Sequence, residues 1–271
     1  MEETIQDFIR YIRDKKKASN NTQQSYERDL RKAMEYFRSM GITCLSDVTP
    51  TDMNAYIFYM EKKEFSPASI SRTIVSLKKF FQYLHQLGDI TEDPTRQLKA
   101  PRVEKKITDS LSIQEVELLL AQPDIRTPKG IRDKAMIQLL YSTGIGVSEM
   151  IALTVSSVNL ELGYVICKDR RQERICPFEH HVGVWIRSYL ENRESFLKEE
   201  TDSLFLNRSG KVLTRQGVWK LIKEYAKKAG IQKEITPHMI RHSFAIHLLQ
   251  SGYDVKQVQE RFGQTMNTML L

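Results

Sequence analysis

A chain of 271 residues with 41 Lys and Arg against 34 Asp and Glu, a formal net charge of +7, is long enough for two ordinary domains and favours a polyanionic partner. No apolar run approaches the roughly twenty residues that cross a bilayer, and the acidic start MEET is not a signal peptide. Three cysteines, Cys44, Cys167 and Cys176, have no CxxC spacing and exclude a disulfide-stapled scaffold, so a cytoplasmic protein with no membrane partner is expected.

Residues 1–88 read as four helices with short joints. Ile5, Phe8, Ile9 and Ile12 make the first apolar stripe, which closes in the basic run 15–17. After a capping cluster at Asn20, Asn21 and Thr22, the second stripe is Tyr26, Leu30, Ala33, Met34 and Phe37, ending at Gly41. Thr49 caps a third helix through Met53, Tyr56, Ile57 and Met60. Ser66, with Pro67 at the first helical position, opens a fourth in which Ile70, Ile74, Leu77, Phe80, Phe81 and Leu84 face inward. The cations Arg72, Lys78 and Lys79 read by default as its solvated face.

From 89 to 109 the periodicity is lost and charge and proline rise, which predicts a linker to a second domain over 110–271. Ser112 and Glu115 form a capping box, and a longer apolar helix then runs to Gly144. VSEMIALTVSSV gives a short helix. The runs 164–167 and 175–178 flank a polar turn and predict a β-hairpin. HHVGVWIRSYLENRESFL returns to helix, LFLN is a short strand, and LTRQGVWKLIKEYAKKAG is a further helix. The expected class is mostly α, with a small sheet in the second domain.

The stretch ITPHMIRHSFAIHLLQSGYDVKQVQERFGQ, 235–264, carries ionisable groups on an otherwise apolar helix. His238 shares a face with Arg241 and His242, three and four residues on, and Phe244, Ala245, Leu248 and Leu249 form the stripe behind them. A second short helix starts at Asp254. Three readings stand: a solvated polar end; an anion site in which Arg241 forks two phosphate oxygens and His238 shares a proton; or zinc held by His238, His242 and His247. Zinc is disfavoured, since no Cys is near and no HExxH occurs.

PHMIRHSFAIHLLQSGYDVKQVQERFG resembles the C-terminal signature of the tyrosine site-specific recombinases, the XerC/XerD and phage or transposon integrase family. The resemblance implies an N-terminal core-binding bundle of SAM-like type and an α-rich catalytic domain. Both would act on double-stranded DNA, as a homo-oligomer (a tetramer on DNA), with no metal and no cofactor. It maps His238 and Arg241 onto the phosphate site and Lys168, within ICKDRRQERICPF, onto the general acid. It also carries Arg215 and Gln216 at a helix start into the major groove, where Arg suits guanine and Gln adenine. By the same resemblance Arg72, Lys78 and Lys79, with Asn21, Thr22 and Gln24, meet DNA from the first domain.

Three departures qualify that expectation. Gly146 stands in TGIGVSE where the family has its first Arg, and glycine has no side chain to hold phosphate. Gln264 stands where the family has His or Trp, and it cannot become cationic. The sequence also reaches Leu271 before the family's nucleophilic Tyr is due, and Tyr253, ahead of the last short helix, is a poor substitute. The expectation is therefore a recombinase-family protein that binds DNA and does not cut it unaided. The alternative is a non-catalytic DNA-binding protein that occupies recombination sites and regulates an active relative.

Overall fold

The structure, a computed structural model, describes residues 1–101, 110–168 and 173–262, so Gln264 and the polar turn 169–172 lie outside the described residues. The chain divides into two compact units, Met1–Lys105 and Lys106–Leu271. Among the described residues no helix is long and apolar enough to cross a membrane.

The first unit is built from helices α1 (Glu2–Asp14), α2 (Asn20–Ser39), α3 (Pro50–Lys62) and α4 (Pro67–Leu87). Each begins or ends where local chemistry dictates. Thr49 and Asp52 reciprocate at the start of α3, the Asp52 amide donating to Thr49 Oγ1 and the Thr49 amide to Asp52 Oδ2 at 2.9 Å. Ser66 Oγ accepts from the Ser69 amide ahead of Pro67, and Gly88, at φ +81°, closes α4. The cap of α2 is Ser19, whose hydroxyl accepts from the Thr22 amide, and Asn20 and Asn21, expected as caps, are already helical. The predicted stripes meet in one core in which Ile5, Phe8, Leu30, Phe37, Phe80 and Phe81 are buried. A polar staple crosses it: the Asp29 carboxylate, 3 % exposed, accepts from Arg72 Nε and Nη2 at 2.8 and 2.7 Å and from Ser76 Oγ at 3.1 Å. Arg72 therefore holds α4 to α2 with the planar fork that sequence reasoning assigned to DNA.

The second unit contains α5 (Ile113–Ala121), α6 (Pro128–Thr143), α7 (Val147–Ala152), strands β1 (Val158–Asn159), β2 (Tyr164–Lys168) and β3 (Glu173–Pro177), then α8 (His180–Asn192), α9 (Arg215–Lys228), α10 (Pro237–Gln250) and α11 (Val255–Phe262). The sheet is antiparallel in the order β1-β2-β3, with Val165 opposite Cys176 and Cys167 opposite Arg174. The fold is mostly α with a small sheet.

Two features of the sheet depart from expectation. β1 is only two residues long and carries no pattern to read. LFLN is not a ladder strand; Leu206 bridges Val212 and Ser203 bridges Thr154, and the Leu204 and Asn207 amides donate to the Leu153 and Lys211 carbonyls at 2.8 and 2.7 Å. Side chains take other backbone groups of the segment. Tyr189 Oη donates to the Leu204 carbonyl and accepts from the Leu206 amide, while Arg193 and Arg132 donate to the carbonyls of Leu204 and Leu206.

Helix α6 is buried on most sides and brings a charged knot with it. Asp133, fully buried, accepts from Arg132 Nε and Nη2 at 2.9 and 2.6 Å, from Lys129 Nζ at 2.7 Å and from Tyr225 Oη at 2.7 Å. At its end Gly144, φ +61°, needs both its conformation and its lack of a Cβ, which would come within 2.5 Å of the Phe262 ring and 2.9 Å of Phe244. That close approach seats α11 against the turn between α6 and α7. Helix α10 runs through the unit with Ser243 Oγ donating to the Met239 carbonyl and accepting from the Leu111 amide at 2.8 Å.

Candidate nucleic-acid interface

Three helix starts meet at one cleft of about 370 Å³. Helix α7 contributes Gly146, Val147 and Ser148, α9 contributes Arg215, Gln216 and Trp219, and α10 contributes Thr236, Pro237, His238 and Arg241. The starts are fixed by short polar side chains. Thr214 Oγ1 accepts from the Gly217 amide at 3.0 Å, and Thr236 Oγ1 from the Met239 amide at 3.2 Å, with Pro237 at the first position of α10. The positive ends of α9 and α10 therefore open on the cleft beside its cationic side chains, which suits an anion.

His238 is exposed at the mouth, whereas Arg241 lies deeper, 8 % exposed. Arg241 Nη2 donates to the Phe262 carbonyl at 2.9 Å, its guanidinium lies 4.8 Å from the Phe262 ring centre, and Nη1 reaches Glu149 Oε2 at 3.5 Å. Burial is the main influence on its acidity and pulls its pKa below the usual guanidinium range. Glu149 opposes that shift and Arg174 adds to it.

Glu149 and Arg174 were not singled out from sequence. Glu149 reaches back from the first turn of α7 to accept the Gly146 amide at 2.6 Å, and Arg174 on β3 donates to its other oxygen at 2.6 Å and to the Arg261 carbonyl at 3.0 Å. A readable signal existed for both. Glu149 stands three residues after a helix-opening glycine, and strand alternation puts Arg174 on the same face as buried Cys176. Below them the Cys167 and Cys176 thiols are hydrogen-bonded, and that bond together with burial pushes the Cys167 thiol up.

The other expected residues are placed as follows. Lys168 ends β2 with its side chain 69 % exposed, pairs with Glu173 at 2.9 Å, and lines a separate hollow that also includes Glu149. Lys78 is half-buried; Lys79 is exposed and lines a cavity of the first unit with Tyr11, Lys16 and Tyr83. Asn21 and Gln24 are exposed, and Thr22 is half-buried. Tyr253, 38 % exposed, lies under the Arg261 guanidinium and is not among the cleft-lining residues. The zinc reading finds no support in the arrangement. His238 is exposed while His242 and His247 are buried, His247 Nδ1 pairs with Tyr141 Oη at 2.8 Å, and no three candidate ligands converge among the described residues.

The pattern of the phage integrase family matches residues 109–270, and that of the phage integrase N-terminal SAM-like domain matches 5–88. The tyrosine recombinase XerD of Halalkalibacterium halodurans is 38 % identical over 263 residues, 96 % of this chain and 88 % of its own. The chain belongs to the phage integrase family of tyrosine recombinases. The tyrosine recombinase XerC of Roseiflexus castenholzii is 35 % identical, covering 98 % of this chain and 86 % of its own. Among solved structures, the Tn1549 transposon integrase in complex with circular intermediate DNA shares the fold at a TM-score of 0.78 and 22 % identity, covering 98 % of this chain and 93 % of its own. The XerH recombinase bound to its difH substrate shares it at a TM-score of 0.73 and 22 % identity, covering 98 % and 78 %. In this recombinase-family chain the SAM-like match runs from within α1 to the end of α4, and the integrase match spans every residue of the cleft.

Proposed function

We propose that this chain binds duplex DNA as a tyrosine recombinase-family protein, holding a backbone phosphate at His238 and Arg241 while the start of α9 reads the major groove. The observation that carries the reading is the single cleft onto which Arg215, Gln216, His238 and Arg241 converge from two helix starts. Arg215 is suited to the O6 and N7 edge of guanine and Gln216 to that of adenine. Lys79 and Lys78 on α4 would add phosphate contacts from the first unit, and assembly as a homo-tetramer on DNA belongs to the same reading.

Strand cleavage in this family's manner needs a tyrosyl oxygen to attack phosphorus and an acid, here Lys168, to protonate the departing 5′ oxygen. The α7 wall of the cleft offers Gly146 and no cation, and no tyrosine is among the described residues that line the cleft. Removing one such charge-stabilising group costs on the order of 3 kcal/mol, a hundredfold or more in rate. We therefore read the 271 residues as a DNA-binding protein that does not complete the covalent step alone, which also favours a role in occupying recombination sites. Incubation with a nicked duplex in chelator should leave no adduct on a denaturing gel; a 3′-phosphotyrosyl adduct formed by the unmodified chain would overturn this half of the proposal.

The binding half has its own tests. Arg215→Ala and Gln216→Ala should reduce preference among duplex sequences more than they reduce affinity for random DNA, and survival of the preference in both variants would remove α9 from the groove. Trp219 is 42 % exposed in the cleft, and the only other Trp, Trp185, is half-buried against α6. Duplex DNA should therefore quench the intrinsic emission, and Trp219→Phe should abolish the change. Quenching that persists in Trp219→Phe would place the DNA elsewhere.

A further inference from the structure

The Glu149 carboxylate is shared three ways, and the distances rank its partners. The Gly146 amide and Arg174 Nη2 each hold it at 2.6 Å, whereas Arg241 Nη1 lies at 3.5 Å, the limit of a hydrogen bond. Arg174 is thus the guanidinium that answers the Glu149 charge. Arg174 and Arg241 also divide the end of α11 between them, Arg174 taking the Arg261 carbonyl and Arg241 the Phe262 carbonyl. Among the described residues the cluster has two guanidiniums against one carboxylate. Its surplus positive charge falls on Arg241, the only one of the three that lines the cleft.

Gly146 gives this arrangement its weight. A Cβ at 146 would lie 3.2 Å from Glu149 Oε2 and 3.9 Å from Arg241 Nη1, so the position borders both groups, yet it adds no charge. Arg241 already lies within loose ion-pair distance of Glu149 at 3.5 Å, and without Arg174 the carboxylate needs to move only a few tenths of an ångström to close that pair. An incoming phosphate would then meet a neutralised pair. We propose that Arg174 is a positioning residue for phosphate binding: by engaging Glu149 and pinning the end of α11, it leaves the Arg241 charge available to the cleft. The inference rests on the DNA-binding reading above and assigns a role to a residue outside the cleft.

The test is a charge-balance cycle read by fluorescence anisotropy with a labelled duplex at moderate salt, with thermal melting as a check on folding. Arg174→Gln should weaken binding on the order of tenfold, the effect of losing one charge-assisted contact. Glu149→Gln should tighten it, and the double variant Arg174→Gln with Glu149→Gln should return to within about threefold of the parent, because removing the carboxylate removes the need for its partner. Arg174→Lys, which keeps the charge, should bind close to the parent even if Arg174→Gln proves too unstable to assay. A purely structural Arg174 predicts the opposite order, the double variant worst and the Lys variant impaired, and either result overturns the inference. Arg241→Ala separates the two levels. If it leaves DNA affinity unchanged, the site reading itself fails; if it weakens binding while Arg174→Gln does not, only the positioning role falls.

Discussion

The affinity of this chain for duplex DNA should fall about a thousandfold when salt rises from about 50 to about 200 mM, because each neutralised phosphate releases condensed counterions. A fall of that size corresponds to about six or more phosphate contacts. Arg215 and Arg241 line the cleft of the second unit and Lys16 and Lys79 a cavity of the first, and the remaining contacts would draw on other exposed cations. Exposed Lys and Arg elsewhere contribute to the net charge of +7. A titration by anisotropy at four salt concentrations gives the slope directly. A flat response across that range would mean that the positive surface is not an interface for DNA, whatever the family of the fold.

The second large effect concerns stability. Asp133→Ala should destabilise the second unit by about 3–5 kcal/mol, the cost of leaving a buried charge uncompensated. Arg132 is buried with two of its nitrogens on Asp133, and Lys129 and Tyr225 lose the same acceptor. Replacing Glu224, whose pair with Lys228 on α9 is exposed, should have no comparable effect. Urea unfolding of the three proteins distinguishes the cases. If Asp133→Ala unfolds at the parent's midpoint, the knot on α6 is not what holds that helix to α9.

How much of this was legible in the sequence depends on the range of the interactions concerned. Caps and stripes are local, so Thr49, Ser66 and Ser112 marked helix starts, and the inward face of α4 followed from its spacing. Even there a neighbour can win, as Ser19 does over Asn20 and Asn21 at α2. Long-range pairing leaves no periodic trace. Arg72 read as a cation of the solvated face and is exposed, but its bond to Asp29, 43 residues away, left no local trace. LFLN has the composition of a strand, yet Tyr189, Arg193 and Arg132 from α6 and the end of α8 take up its backbone groups. At the cleft, His238 and Arg241 could be named from a local motif. Glu149 and Arg174 left only a helix-start spacing and a strand alternation, and their pairing arises only where that helix start and that strand face each other.

The hydrogen bond from the Leu111 amide to Ser243 has a mechanical side. Leu111 lies at the upstream edge of the second unit, and Ser243 sits two residues beyond Arg241 on the same helix. A displacement of the backbone at Leu111 would therefore load α10 directly, at a point less than one helical turn from the Arg241 guanidinium. The position of Leu111 and the aim of Arg241 share one anchorage, so a disturbance at the upstream edge of this unit has a short path to the lining of the cleft.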